Sequence, residues 1–247
     1  MDTPQATNGA DASGEHVEAE GVPDAIRRRL VLAVDVDDLV EAQRLAARLS
    51  PWFATAKVGL ELFSAAGPEA VGAMRDLGLD VFCDLKLHDI PTTVGRAARV
   101  LGALGVRYLT IHTSGGAAML RAGADGFRQG AAEADLPEPV PLGVTVLTSE
   151  PEASVHLLHQ RVILGLEAGC GGFVCGAPDV AAIRQLAPRA VLATPGIRPA
   201  GAPVDDQGRV ATPAAALAAG ADLLVVGRAV TRADDPVAAA RALVADL

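Results

Sequence analysis

Residues 81–93, VFCDLKLHDIPTT, join the apolar pattern of a buried strand to a cluster of charged side chains at its carboxyl end. The first three residues are apolar, and Pro91 restricts the residue before it to extended backbone, which ends the strand in a turn. Asp84 and Lys86 are two residues apart, so on a strand their side chains point to the same side. The segment therefore predicts a strand that delivers charged groups to one edge of a sheet.

Segments with a similar apolar pattern recur along the chain after residue 29. The eight candidate strands are LVLAVDV from Leu30, ATAKVG from Ala54, VFCDLK from Val81, RYLTIH from Arg107, LGVTVL from Leu142, GFVCG from Gly172, AVLATPG from Ala190 and DLLVVGR from Asp222. Such near-continuous apolar runs suit a parallel sheet covered on both faces, and the segments between them are long enough for crossover helices. The alternation predicts a single α/β domain, a (β/α)8 TIM barrel over residues 30–247, with a doubly wound open sheet as the alternative.

Composition and charge narrow the possible functions. The chain has 247 residues, 50% of them hydrophobic, which is enough to bury the core of one such barrel. Its formal net charge of −9 is not accompanied by a basic stripe, so we expect no nucleic-acid partner. Cys83, Cys170 and Cys175 have no zinc-type spacing, and they predict buried, reduced thiols rather than a metal site.

The amino-terminal residues 1–29 are rich in Ala, Gly, Asp and Glu, which predicts a disordered acidic tail. They lack the basic region and hydrophobic core of a secretory signal. No apolar run in the chain approaches the roughly 18 residues of a membrane span. We therefore expect a cytoplasmic protein with no membrane association.

Polar residues and one glycine recur at or just beyond the carboxyl ends of the candidate strands. They are Asp35, Lys57, Asp84, Lys86, Thr148, Arg198, Gly227 and Arg228. In a TIM barrel this is the face on which active sites are built, with residues from several strands. The sequence therefore predicts one shared site at the mouth of the barrel.

The sharpest part of this pattern is the cluster of Asp84, Lys86 and Asp89. Carboxylates on both sides of a lysine favour its charged form, and such a lysine can stabilise a carbanion and then protonate it. Asp35 and Lys57 end the first two strands and would converge on the same mouth. A purely structural ion-pair network is the alternative interpretation of the cluster.

A second group of residues predicts a phosphate site. Arg198 follows the seventh strand, and Gly227 and Arg228 follow the eighth, which is the usual position of phosphate binding in this fold. The glycine allows close approach of the backbone to an anion, and the arginine fork supplies paired donors.

Residues 199–213, PAGAPVDDQGRVATP, form a loop longer than compact barrels normally need. The loop predicts a lid, with Gly201 and Gly208 as hinges. Gln207 in this loop carries both a donor and an acceptor, which suits the edge of a nucleobase, although by itself it fits an exposed loop residue better.

From about Leu30 to its carboxyl terminus the chain resembles the bacterial-type orotidine 5′-monophosphate decarboxylase family. The resemblance lies in segments that occur in the family's order, VDVDD, KVGLELF, DLKLHDIPTTV, VTVLTS, TPGIRP, DDQGRVATP and GADLLVVGRAVT. It implies an enzyme that converts orotidine 5′-monophosphate to uridine 5′-monophosphate in de novo pyrimidine biosynthesis, without a cofactor or metal.

The resemblance also implies the roles of the charged residues. Lys86 would donate the proton to C6 of the substrate, and Asp84 would flank the leaving carboxylate. Lys57 and Asp89 would complete the array, and Asp35 together with Lys57 would hold the ribose hydroxyls.

The remaining implied roles concern the homodimer, the base and the phosphate. Asp89 and Thr93 would reach the ribose in the site of the neighbouring subunit, because the family is a homodimer with shared sites. Thr148 would contact the pyrimidine, and Gln207 would bridge base and phosphate. Gly227 and Arg228, assisted by Arg198, would bind the phosphate.

Two other functions fit part of the sequence. A related barrel enzyme, a metal-dependent sugar-phosphate decarboxylase or aldolase, uses a similar Asp-x-Lys-x-x-Asp cluster, and Glu61 is a conceivable metal ligand for it. A non-catalytic nucleotide-binding barrel is the other alternative. Such a protein would be expected to lose a member of the charged array, and all members are present here.

Overall fold

The computed structural model describes residues 22–147, 154–199, 210–245 and 247, and within them eight parallel strands close into a barrel. Each strand pairs with the next in the chain, and β8 pairs with β1. The strands are β1 (Leu30–Val34), β2 (Thr55–Gly59), β3 (Asp80–Leu87), β4 (Tyr108–His112), β5 (Val140–Val144), β6 (Gly172–Val174), β7 (Val191–Thr194) and β8 (Leu223–Val226). The predicted TIM barrel is confirmed, and the open-sheet alternative is wrong because the first and last strands are bonded to each other.

Helices follow the strands and form the outer layer. Those among the described residues are α1 (Asp24–Arg27), α2 (Leu39–Leu49), α3 (Leu60–Ala66), α4 (Glu69–Asp76), α5 (Pro91–Ala103), α6 (Gly116–Glu133), α7 (Val155–Glu167), α8 (Val180–Leu186), α9 (Pro213–Ala219), α10 (Arg228–Thr231) and α11 (Pro236–Ala245). Side chains cap several amino-terminal ends, as where Asp38 accepts the Glu41 N–H at 2.8 Å. Pro91 occupies the first turn of α5, where its missing N–H costs no hydrogen bond.

Two apolar layers hold the barrel together, and β1 shows how its residues divide between them. All five residues of β1 are buried. Leu30, Leu32 and Val34 pack in the layer between strands and helices, whereas Val31 and Ala33 pack with the residues that fill the barrel interior. Strands buried on both faces in this way require the near-continuous apolar runs seen in the sequence.

Helices α5 and α6 pack so closely that glycines are required between them. A Cβ added at Gly126 would overlap the carbonyl oxygen of Gly95, and one added at Gly130 would overlap that of Arg99. The two helices therefore meet backbone to backbone. A short loop joins α5 to the end of β3, the strand that carries the charged cluster.

Residues 22–29 differ from the sequence expectation, which assigned them to a disordered tail. They include α1, and Ile26 packs against the barrel core. The Arg27 carbonyl accepts the Ala54 N–H at 3.1 Å, and the Arg29 carbonyl accepts the Leu224 N–H at 2.7 Å. The prediction of a disordered tail is wrong for residues 22–29, because their backbone is hydrogen-bonded at the amino-terminal ends of β2 and β8. Residues 1–21 lie outside the described residues.

The three cysteines are free and buried, as predicted. Burial raises the pKa of each thiol to about 12, and for Cys83 the Asp84 carboxylate adds to the effect. Thiolates are therefore scarce at neutral pH, which keeps these side chains unreactive. Within the described parts of the chain, no helix is both long enough and apolar enough to span a membrane.

Candidate active site

A cavity of about 450 Å³ opens at the carboxyl ends of the strands. Residues from six of the eight strands, β1, β2, β3, β5, β6 and β8, line it together with residues that follow the strands. Its size is typical of a site for a small molecule. Seven of the residues predicted from sequence lie on its wall, namely Asp35, Lys57, Asp84, Lys86, Arg198, Gly227 and Arg228. The structure thus brings together residues that are almost 200 positions apart in the chain.

Four of these side chains form a continuous row of alternating charges. Lys57 Nζ lies 2.9 Å from Asp35 Oδ1 and 3.8 Å from Asp84 Oδ2, and Lys86 Nζ lies 2.8 Å from Asp84 Oδ1. The Lys57 and Asp84 side chains are only 11% and 16% exposed. Charges with so little access to water interact more strongly than surface pairs do. We call Asp35, Lys57, Asp84 and Lys86 the charged array.

The wall beside the array leaves little room. A Cβ added at Gly59, the last residue of β2, would lie 3.1 Å from both Asp35 Oδ1 and Lys57 Nζ. An added side chain at this position would require these groups to shift by a few tenths of an ångström.

The end of β3 is irregular, and this irregularity places Lys86. Cys83 pairs with Leu109 and Leu87 pairs with Ile111, so the register between β3 and β4 shifts across the intervening residues. The backbone of Lys86 has φ 49°, in the left-handed region that lysine rarely adopts. Simple alternation along a strand therefore does not explain why Asp84 and Lys86 meet, and strained backbone of this kind is concentrated at functional sites.

Thr110 contacts the array and was not among the candidates from sequence. It is fully buried on β4, and its Oγ1 lies 3.1 Å from Asp84 Oδ1. The same oxygen accepts the Lys86 N–H at 2.8 Å. The sequence does contain a signal for this residue, which is a hydroxyl in the middle of the apolar segment YLTIH. A polar group buried in such a strand requires a hydrogen-bond partner, and here the partners belong to the array.

The predicted phosphate residues lie on two neighbouring elements. Gly227 directly precedes the short helix α10, and Arg228 is the first residue of that helix. Arg198 follows β7 and is 8% exposed, and its N–H donates to the Ala211 carbonyl at 3.0 Å. This bond ties the two sides of the predicted lid together at its base. Gly196, with φ 79°, forms the turn before Arg198 that a residue with a Cβ would adopt only under strain.

Asp89 and Thr93 do not line the cavity of their own chain. Both are exposed, and Asp89 Oδ1 accepts the Ile90 N–H at 2.6 Å. Within one chain, therefore, Asp89 does not complete the charged array. Its expected role in the site of a neighbouring subunit stays a prediction.

Thr148 and Gln207 lie outside the described residues, and their expected roles stay predictions. Glu61 and Arg232 do line the cavity. Arg232 is a cation that the sequence interpretation missed, although it lies four residues after Arg228 at the end of the same short helix. Among the described residues no group of three or more His, Cys, Asp and Glu side chains is arranged to hold a metal ion.

A closed parallel barrel with ionisable groups from several strands in a cavity at their carboxyl ends has the architecture of a TIM-barrel enzyme. The chain belongs to the orotidine 5′-phosphate decarboxylase / HUMPS family, whose model matches residues 28–243.

Relatives that match most of the chain support this assignment. An orotidine 5′-phosphate decarboxylase from Moorella thermoacetica is 46% identical over 231 residues, which cover 89% of this chain and 92% of the relative. One from Thermobifida fusca is 47% identical, covering 88% and 95%. The crystal structure of orotidine 5′-phosphate decarboxylase from Lactobacillus acidophilus superposes with a TM-score of 0.72 at 31% identity, covering 87% of this chain and 97% of that one.

Proposed function

We propose that this protein decarboxylates orotidine 5′-monophosphate to uridine 5′-monophosphate and CO₂ in de novo pyrimidine biosynthesis. The observation that carries the proposal is the charged array at the barrel mouth, in which two lysines and two aspartates alternate within hydrogen-bonding or ion-pair distance. The relatives described above bear the name of this activity and match the chain over nearly its whole length.

The chemistry requires a group that meets negative charge at C6. When the bond between C6 and the carboxylate breaks, CO₂ leaves and the electron pair stays on C6 in an sp² orbital that the ring delocalises poorly. The ammonium of Lys86 stabilises this pair and then transfers its proton to C6, and water later restores the proton to the lysine. Asp84, 2.8 Å from Lys86 Nζ, holds the ammonium and lies beside the departing carboxylate.

One lysine supplies only part of the rate enhancement. At about 4 Å and an effective dielectric constant near 20, an ammonium and a carbanion attract by roughly 4 kcal/mol, whereas enzymes lower barriers by about 8 to 23 kcal/mol. The remainder comes from preorganised charges and from binding energy collected at the ribose and phosphate. The row of four fixed charges suits this requirement because its geometry is already set before substrate binds.

The rest of the nucleotide is assigned to the remaining cavity residues. Asp35 and Lys57 bind the ribose hydroxyls. Gly227 and Arg228 bind the phosphate with the help of Arg198, at the position usual for TIM barrels. For the base, the proposal relies on the resemblance alone, with Thr148 at the pyrimidine and Gln207 between base and phosphate.

We also propose that the enzyme is a homodimer that shares residues between its two sites. Support comes from the segment after β3, where Asp89 in the loop and Thr93 in the first turn of α5 are exposed and do not line the cavity of their own chain. Ile90 between them is 65% exposed. A partner subunit that covers this loop would bury Ile90 and receive Asp89 and Thr93 at its own ribose site.

Location of the protein in the cytoplasm stays a prediction.

The direct test is to incubate the purified protein with orotidine 5′-monophosphate and follow the loss of ultraviolet absorbance together with CO₂ release. Stoichiometric formation of uridine 5′-monophosphate supports the proposal, and the absence of conversion at high enzyme concentration contradicts it.

Glu61 on the cavity wall gives a specific reason to test the metal-dependent alternative. After exhaustive dialysis against a strong chelator, we expect unchanged decarboxylation, because Lys86 supplies the positive charge that a metal would supply in that alternative. Activity that disappears on dialysis and returns with Mg²⁺ would favour a metal-dependent sugar-phosphate enzyme, and the protein would then be assayed on sugar phosphates.

A further inference from the structure

Thr110 joins two neighbouring residues of the charged array, Asp84 and Lys86, through a single hydroxyl. The Lys86 N–H donates to Thr110 Oγ1 at 2.8 Å, and the hydroxyl lies 3.1 Å from Asp84 Oδ1 and 3.5 Å from the Cys83 carbonyl oxygen. A hydroxyl has one hydrogen to donate and two lone pairs to accept with. The shorter distance and the charge of the acceptor favour donation to the Asp84 carboxylate over the neutral carbonyl.

The two bonds act on different features of the site. The bond to Asp84 Oδ1 restrains the carboxylate whose same oxygen receives Lys86 Nζ at 2.8 Å. The bond from the Lys86 N–H restrains a backbone that has φ 49° at the register shift of β3. A strained conformation persists only where the surroundings over-determine it, and this bond is one such constraint.

We propose that Thr110 is a positioning residue for decarboxylation, one that fixes both the Asp84 carboxylate and the left-handed backbone of Lys86 so that the ammonium is held at the reacting carbon. Thr110 is fully buried and does not line the cavity, so it acts through residues that do. The proposal rests on the proposed function for its kinetic consequence, whereas its structural consequence is independent of substrate.

If the Thr110 hydroxyl only stabilised the fold, its removal would lower stability without lowering kcat specifically. Loss of a buried hydrogen bond lowers stability wherever it occurs, without a specific effect on turnover. Thr113 provides the matched control, because it is also buried near the end of β4 and its Oγ1 donates to the Val144 carbonyl at 2.7 Å. None of the contacts found among the described residues joins its side chain to Asp84 or Lys86.

The experiment compares Thr110→Val, Thr110→Ser and Thr113→Val with the unmodified protein. For Thr110→Val we expect kcat for orotidine 5′-monophosphate to fall by about 10- to 100-fold, because misplacement of reacting groups by about 1 Å can cost about 100-fold in rate. The KM, and the Kd of the product uridine 5′-monophosphate, should change by less than about three-fold, since their binding groups remain. Thr110→Ser keeps the hydroxyl and should retain most of the turnover, and Thr113→Val should lose stability but not kcat.

If the valine variant does not fold, Thr110→Ala is compared with Thr110→Ser instead. Both variants lack the γ-methyl group of threonine, and only the alanine variant also lacks the hydroxyl. A Thr110→Val or Thr110→Ala enzyme with normal kcat would overturn the proposal. So would a serine variant as impaired as the alanine variant, or a defect confined to KM.

Crystal structures of the variants without substrate decide the question independently of activity. In Thr110→Val or Thr110→Ala we expect Lys86 to leave the left-handed region or the Asp84 carboxylate to rotate away from Lys86 Nζ. If the unmodified protein fails to convert orotidine 5′-monophosphate, the proposed function is wrong, and these structures still test Thr110. An unchanged Asp84–Lys86 geometry in the variants would show that Thr110 does not position the pair.

Discussion

The backbone of Lys86 stands in the left-handed region at the end of a strand, and its side chain is ion-paired to Asp84. Extended backbone, as on a regular strand, would set a different direction for the Lys86 side chain. The strain is maintained by bonds from its neighbours rather than by any preference of lysine itself. Replacing Lys86 tests whether its ammonium group carries out the proposed proton transfer.

We expect Lys86→Ala to abolish turnover while leaving folding and the binding of uridine 5′-monophosphate largely intact. The ammonium is needed most where negative charge develops in the transition state, and the nucleotide keeps its ribose and phosphate contacts. Steady-state kinetics, product titration and thermal unfolding measure the three properties. A variant that keeps more than about a tenth of the activity would show that another group protonates C6.

Arg228 tests the phosphate end of the cavity. We expect Arg228→Ala to lower kcat/KM by roughly 30-fold to several thousand-fold, since removal of one partner of a desolvated charge pair costs about 2 to 5 kcal/mol. The control is orotidine, which lacks the phosphate and should lose almost nothing. Equal losses on the nucleotide and the nucleoside would mean that Arg228 acts elsewhere.

The contact between α5 and α6 shows how an element far from the substrate supports the site. Their glycines allow the two backbones to approach closely, and α5 follows β3 in the chain after a short loop. The sequence does not show this contact directly, because the paired glycines are about 30 positions apart and each alone only weakens its helix.

Gly130→Ala should lower the free energy of unfolding by about 1 to 3 kcal/mol, because the added methyl group overlaps the Arg99 carbonyl oxygen. The matched control is Gly72→Ala in α4, where an added Cβ meets nothing within 4 Å. Removing a glycine from a helix interior there should raise stability by about 0.5 to 1 kcal/mol. Denaturant unfolding measures both, and equal shifts of the same sign would contradict the close packing of the helices.

The proposed dimer is tested at the scale of the whole molecule by complementation. In a mixed dimer of Lys86→Ala with Asp89→Asn, one site carries both changes, whereas the other takes Lys86 from one chain and Asp89 from its partner and is intact. Random reassortment makes about half of the dimers mixed, each with one good site of two, so about a quarter of the unmodified activity should return.

The measurement compares the co-refolded or co-expressed pair with the sum of the two separate homodimers. Mass determination confirms that mixed dimers have formed. No gain over the sum would show that Asp89 acts within its own chain or that the sites are not shared.

The amino-acid sequence by itself determined the eight strands, their parallel arrangement and the polar groups at their carboxyl ends. These properties are local, since apolar runs, prolines and glycines act on neighbouring backbone, and a barrel then gathers all carboxyl ends at one mouth. Only the tertiary structure decided features that depend on contacts between distant segments. The barrel closes by pairing of β8 with β1, and residues 22–29 are ordered rather than part of a disordered tail. Lys86 has left-handed backbone, the buried Thr110 contacts Asp84, and Asp89 does not line the cavity of its own chain. Each depends on which strand or helix lies alongside, and the local pattern of residues does not contain that information.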